Sequence, residues 1–210
     1  MRGDGGMFSG PRTILLKLTM MLGLCLTLSG CGVNAVPTKD EAVTAAWAEV
    51  LNQYQRRADL VPNLVATVKG AADFERETLQ AVVEARSKVA QMQIPPDILT
   101  NPGAFKQFQE NQSALTSALS RLMVVVERYP QLTATQNFAT LQAQLEGTEN
   151  RITVARRDYI LAVQSYNTEI RTLPGRIWVW LLYPDAQLKE NFTVENPEAL
   201  QTPPKVEFGS

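Results

Sequence analysis

Apolar residues recur at steps of three and four through most of this 210-residue chain, and that period commits it to helices. Val43, Trp47, Val50, Tyr54, Ala58, Val61, Val65 and Val68 fall on one stripe of a helix. Thr38 and Glu41 have the spacing of a capping box, and Asp40 lies where the macrodipole favours an acid. A helix is therefore predicted to start at Thr38. Pro62 lies inside the stripe, where it removes a backbone donor and disfavours helical geometry at Val61. The period nevertheless continues through Leu79, Val82 and Val89, which predicts a kink; a break at the proline would add a fourth helix.

Pro95-Pro96 and Asn101-Pro102-Gly103 mark a first connection over residues 91–103. Phe105, Phe108, Gln112, Leu115, Leu119, Leu122 and Val126 then give a second helix, interrupted at Tyr129-Pro130. A third is predicted from near Leu132, with Phe138, Leu141, Leu145, Ile152, Ala155, Tyr159, Val163, Tyr166 and Ile170 as a heptad-like seam closed by Pro174-Gly175. No segment alternates convincingly with period two, and no glycine-rich phosphate loop appears. The expected fold is all-α, an antiparallel bundle of three or four long helices with coiled-coil-like seams.

The N-terminus carries a second signal. Arg2, Arg12 and Lys17 precede an apolar run over residues 18–28, which ends in Leu28-Ser29-Gly30-Cys31. This resembles a bacterial lipoprotein signal, with small residues that admit a peptidase and a cysteine whose thiol takes the lipid. Cys31 is the expected lipid attachment. The competing reading is an uncleaved anchor, but a spanning helix needs about 20 apolar residues, and residues 13–36 reach that length only by including Lys17, Asn34 and several glycines. Either way the basic residues precede the apolar run and place the remainder outside the cytoplasm. The expected organisation is a signal peptide over residues 1–30, a tether over 31–38, a helical bundle over 39–172, and an aromatic segment with an extended tail over 173–210.

Composition closes off several function classes. Removal of residues 1–30 leaves 17 basic and 20 acidic residues, a net charge of −3 with no electrostatic footprint for nucleic acid. The two cysteines, Cys25 and Cys31, leave no pair for a disulfide after cleavage. The chain contains no histidine, which excludes Ser-His-Asp and Cys-His catalysis, His-ligated zinc and the Glu-x-x-His di-iron pattern. Glu41, Glu75 and Glu149 are the remaining carboxylates to consider as metal ligands. They form no dense cluster, so neither metal nor cofactor is expected.

Two strings stand out from plain solvated helix faces. The first runs Asn52-x-Tyr54-x-x-Arg57-x-Asp59-Leu60-Val61-Pro62-Asn63, and the second Glu149-Asn150-Arg151-Ile152-x-x-Ala155-Arg156-x-x-Tyr159, followed by Tyr166-Asn167. With Val68-Lys69-Gly70, the turn at Glu127-Arg128-Tyr129-Pro130 and the closing Pro204-Lys205-Val206-x-Phe208, they resemble the LemA family of bacterial membrane-associated proteins over about residues 40–208. The resemblance implies a helical, membrane-tethered, extracytoplasmic protein without an established reaction. Many members keep an uncleaved transmembrane helix in place of a lipobox, and many have asparagine where Ile160 follows Tyr159.

Asn52, Tyr54, Arg57, Asp59, Asn63, Asn150, Arg156, Tyr159, Tyr166 and Asn167 are the candidate polar network. As a site for hydrolysis or small-ligand binding, Arg57, Asp59, Arg156 and Tyr159 must converge on a cavity. As a structural network they satisfy one another and fix helix register, and this is the expected reading because apolar seams run beside all of them. Trp178 and Trp180, within Ile177-Trp178-Val179-Trp180-Leu181-Leu182-Tyr183, are the candidate interface. They suit either a membrane headgroup boundary or packing on the end of the bundle, and four helices would return them towards the lipid where three would not. The expected function is a lipid-anchored, non-enzymatic protein on the extracytoplasmic face of a bacterial envelope membrane. Its expected partners are the membrane, through Cys31, and an envelope protein.

Overall fold

A computed structural model of the chain describes residues 32–70 and 75–193, with Thr19 in isolation. Cys31, the signal segment and the closing Pro204–Phe208 motif lie outside the described residues. The described residues form α1 (Ala35–Lys69), α2 (Arg76–Gln91), α3 (Pro102–Val126), the single turn α4 (Pro130–Thr133), α5 (Gln136–Arg171) and α6 (Gly175–Leu182), and include no strand. The fold is all-α. Its most extensive contact is between α1 and α5, while α2 packs on α3 and on α1. The pairing of α1 and α5 is antiparallel, since Lys39 near the start of α1 bridges Glu169 near the end of α5.

The predicted stripes are the buried faces. Val43, Trp47, Val50, Tyr54, Ala58, Val61 and Val68 are all buried in α1, and every residue of the α3 stripe is buried. In the α5 seam Leu141 is only half-buried and Thr148 is buried instead. Burial of this much apolar surface along paired helices is what stabilises them, since most helical stability in proteins comes from packing of the apolar face and not from helix propensity.

Helix boundaries differ from expectation in three places. First, α1 starts at Ala35, with Asn34 at its N-cap, and Thr38 lies inside the helix with its amide on the Asn34 carbonyl. The turn at 32–34 and the burial of Val36 extend the helix backwards beyond the capping-box signal. Second, the helix is not continuous through Val89: α1 runs through Pro62, ends at Lys69, and α2 begins separately at Arg76. Third, Asn101-Pro102-Gly103 opens α3 instead of closing the connection. The Asn101 side chain accepts from the Ala104 amide, and Pro102 occupies the first turn, where no donor is missed.

Pro62 survives inside α1 through a tertiary contact. A proline nitrogen cannot donate to the carbonyl four residues back, here Ala58. That oxygen accepts instead from Arg86 Nε of α2, at 3.2 Å.

Two apolar clusters fill the bundle. One, built on Trp47, Phe105, Phe108, Tyr159 and Tyr166, lies towards the start of α1; the other, built on Leu64, Leu115, Leu122 and Phe138, lies towards its end. After α5 the chain reverses tightly into α6. A β-carbon at Gly175 would lie 2.1 Å from the Glu169 carbonyl oxygen, so the backbones approach too closely there for any side chain.

Candidate functional site

The centre of the molecule is a buried arginine between the two apolar clusters. Arg57 follows Tyr54 of one cluster and precedes Val61 of the other, and only 1% of it is exposed. Its Nη1 donates to Thr116 Oγ1 and Glu149 Oε1, each at 2.6 Å, and its Nη2 donates to Gln112 Oε1 at 2.8 Å and the Gln112 carbonyl at 3.1 Å. Its guanidinium also lies 5.0 Å from the Tyr54 ring centre. Gln112 falls between Phe108 and Leu115 on α3, and Glu149 between Leu145 and Ile152 on α5. A single polar layer thus crosses α1, α3 and α5 at one level. Such a layer is satisfied only in one register, because sliding a helix by a turn leaves the guanidinium without acceptors.

A second polar group holds the chain's own C-terminal segment. Asn167 donates from Nδ2 to the Lys189 carbonyl and accepts at Oδ1 from the Lys189 amide, both at 2.9 Å, pairing with that residue as a neighbouring strand would. Tyr159 donates to the Glu190 carbonyl at 2.7 Å, and the Glu190 amide donates to the Leu99 carbonyl. Lys189 pairs with Asp40 and sits over the Tyr166 ring, while Arg156 lies 4.4 Å from the centre of the Phe192 ring. Phe192 completes an aromatic group with Trp47, Phe105 and Tyr159. The start of the predicted tail is therefore part of the core.

Burial raises the hydroxyl pKa of three of these tyrosines. Tyr159 is pushed furthest, with the Glu190 carboxylate adding to the effect, and the Asp40 carboxylate adds to it at Tyr166. At Tyr54 the cations of Arg156 and Arg57 oppose the burial. All three phenols are neutral at physiological pH, and Tyr159 is the one that donates to a backbone carbonyl, that of Glu190.

The other network candidates are elsewhere. Asn52, Asp59, Asn63 and Asn150 are exposed, and Asp59 accepts from Gln55 one turn before it. Asp59 lines an open groove of about 830 Å³ between α1 and α5 with Arg56, Gly147 and Arg151, while Arg57 and Tyr159 are closed inside the bundle. Arg57, Asp59, Arg156 and Tyr159 do not converge. Among the described residues no three Asp, Glu, Cys or His side chains are grouped to hold a metal ion. Glu75 instead pairs with Arg128, and Glu149 with Arg57.

Sequence reasoning missed Thr116, whose hydroxyl projects from a helix face otherwise read only for apolar spacing, and Lys189, in a segment without periodicity. The interface candidates sit at the end of the bundle where the described chain begins. Trp178 is half-buried, with its indole nitrogen 3.1 Å from where a β-carbon on Gly32 would stand, and Tyr183 donates to the Val33 carbonyl. Trp180 is 80% exposed.

Comparison with known proteins follows the same outline. Magnetosome protein MamQ 2 of Paramagnetospirillum magneticum is 26% identical over 180 residues, covering 78% of this chain and 65% of its own length. Magnetosome protein MamQ of Magnetospirillum gryphiswaldense is 25% identical over 182 residues, covering 79% of this chain and 67% of that protein. Protein LemA of Metamycoplasma hominis is 27% identical over 118 residues, 56% of this chain and 49% of that one. The match to the LemA family spans residues 46–208, from Ala46 within α1 past the end of α6, and the chain belongs to that family.

Proposed function

We propose that this protein is a lipid-anchored, extracytoplasmic bundle that holds envelope components together without catalysing a reaction. The observation that supports this most directly is the use made of its buried polar groups. The Arg57 fork is spent on Gln112, Thr116 and Glu149, and Tyr159 and Asn167 are spent on the segment that follows α6. Groups committed to internal partners fix a rigid shape and leave no convergent donors for substrate. The family and the relatives are named for no reaction, in keeping with this reading. Long exposed faces of α1 and α5 are then the product of the fold, available to a protein partner at the membrane. Among the described residues no helix is long and apolar enough to cross a bilayer, and in this reading a lipid on Cys31 supplies the attachment.

Metabolic labelling with a fatty acid, combined with fractionation of native membranes, tests the reading. Wild-type protein incorporates label, migrates as the cleaved form and is captured with envelope proteins after cross-linking; Cys31→Ser does none of these, and Cys25→Ser behaves as wild type. An unlabelled wild type that retains residues 1–30 replaces the lipid with a transmembrane anchor. Turnover of a substrate by purified protein, abolished by Arg156→Met, would end the non-catalytic reading.

A further inference from the structure

We infer that the outer face of α6 rests in the lipid headgroup layer beside the anchor, so that the bundle meets the membrane at two points and stands in a fixed orientation. The inference rests on the membrane attachment proposed above and adds to it a second, protein-borne contact. Leu173, Ile177, Trp180 and Leu181 are 73%, 50%, 80% and 56% exposed, a concentration found nowhere else among the described residues. The other exposed apolar residues, such as Val83, Val124, Val154 and Leu161, are scattered over three helices, as is ordinary for a soluble surface. Within α6 the spacing of Ile177, Trp180 and Leu181 puts them on one face, while Val179 and Tyr183 pack against the bundle core on the other.

The position of this face identifies what covers it. Gly32 directly follows Cys31 and the apolar run, and it lies against Trp178 and Pro174; Tyr183 holds the next residue, Val33, by its carbonyl. Consecutive α-carbons are about 3.8 Å apart, so an anchor at Cys31 brings lipid to α6 and to no other helix end of the same apolar character. The opposite end of α1 lies about 52 Å away along the helix axis. The face also has the composition of an interfacial segment. Tryptophan with aliphatic neighbours occupies the headgroup boundary, and the exposed Arg171 and Arg176 flank it at the level of lipid phosphates. Two or three acyl chains on one cysteine make the attachment stable but leave the bundle free to tilt, so a second contact adjoining the anchor sets the orientation.

The test uses the processed protein, cleaved before Cys31 and carrying its lipid, reconstituted into phosphatidylcholine–phosphatidylglycerol vesicles, with chain-brominated phosphatidylcholine as quencher of tryptophan emission and flotation as the readout of attachment. Trp47 is buried in the core and serves as the unquenched internal reference. The expected result is emission that shifts to the blue and is quenched on reconstitution, with most of the quenching lost in Trp180→Phe while flotation is unchanged. Ile177→Ser with Leu181→Ser should lose the shift in the same way, with helical circular dichroism retained. Protein that floats without quenching overturns the α6 contact and leaves the anchor standing. Trp180 emission shielded from both iodide and bromolipid also overturns it, since a second copy of the chain then covers the face. Failure to float overturns the contact together with the anchor.

Discussion

Arg86 Nε donates to the Ala58 carbonyl oxygen that Pro62 leaves without its helical partner, so a side chain of α2 restores the hydrogen bond a proline removes from α1. The proline and the arginine are thereby energetically coupled. Arg86→Met should cost about 1–2 kcal/mol, because a partly buried carbonyl loses its acceptor role. In a Pro62→Ala background the amide of residue 62 reaches Ala58 instead, and the same replacement should cost markedly less. Urea unfolding of the four proteins gives the coupling directly; equal costs in both backgrounds would show that Arg86 contributes by packing alone.

That pairing also marks the limit of what the linear chain discloses. The seams through Trp47, Phe108 and Ile152 were legible because burial on a helix imposes a period that survives any tertiary arrangement. Arg57 and Glu149 stood out as unusual in their strings, but nothing in their spacing says that they meet each other across Gln112. The helix break at Gly70 was obscured because the apolar period resumes in α2, and the period records which residues face the core without recording whether the backbone between them turns. Phe192 lies in a segment without helical periodicity, where nothing in the spacing marks it as a core residue. Its place against Trp47 and Arg156 depends on α1, α3 and α5 having already assembled the aromatic group that receives it.

The polar layer should respond unequally to loss of its two charges. Arg57→Ala removes a fully buried fork, empties its volume and orphans the Gln112 amide oxygen, and should destabilise the fold by about 3 kcal/mol or more. Glu149→Gln keeps an acceptor, and Glu149 is 42% exposed, so water and salt screen its charge; a cost of under about 1 kcal/mol is expected. Denaturant midpoints at unchanged slope measure both. A Glu149→Gln cost as large as that of Arg57→Ala would mean that the ion pair, and not the buried hydrogen-bond network, holds the layer.

Stability should fall on the alkaline side. The pKa values of Tyr54, Tyr159 and Tyr166 are raised in the folded state above the 10.0 of a free phenol, chiefly by burial. The unfolded chain therefore loses these protons first. The stabilisation is complete below about pH 10 and is lost as pH rises from there towards the folded-state values. Tyr159→Phe sacrifices the hydrogen bond to Glu190, about 1 kcal/mol at neutral pH, but removes one group that drives the alkaline transition. The gap between wild type and variant should narrow steadily above pH 10 in denaturant titrations. A constant gap would place Tyr159 outside the titrating set.

The last expectation concerns the clamp on the C-terminal segment. Asn167 meets the Lys189 backbone with two hydrogen bonds, and Lys189 itself is held by Asp40, with its side chain only 15% exposed. Trypsin cannot reach the bond after Lys189 unless the segment first leaves the bundle, and the rate of cleavage then reports the population of that open form. Asn167→Ala removes both hydrogen bonds. At about 1 kcal/mol each, the opening equilibrium rises roughly thirty-fold, since 1.4 kcal/mol is a factor of ten. Asn167→Asp should open the segment further, because a carboxylate cannot donate to the Lys189 carbonyl and faces it with like polarity. The global urea midpoint should change far less than the cleavage rate, as the segment detaches without the four long helices separating. Cleavage after Lys189 that is equally slow in wild type and both variants would show that Phe192 and the Glu190 pairing to Leu99 retain the segment without Asn167.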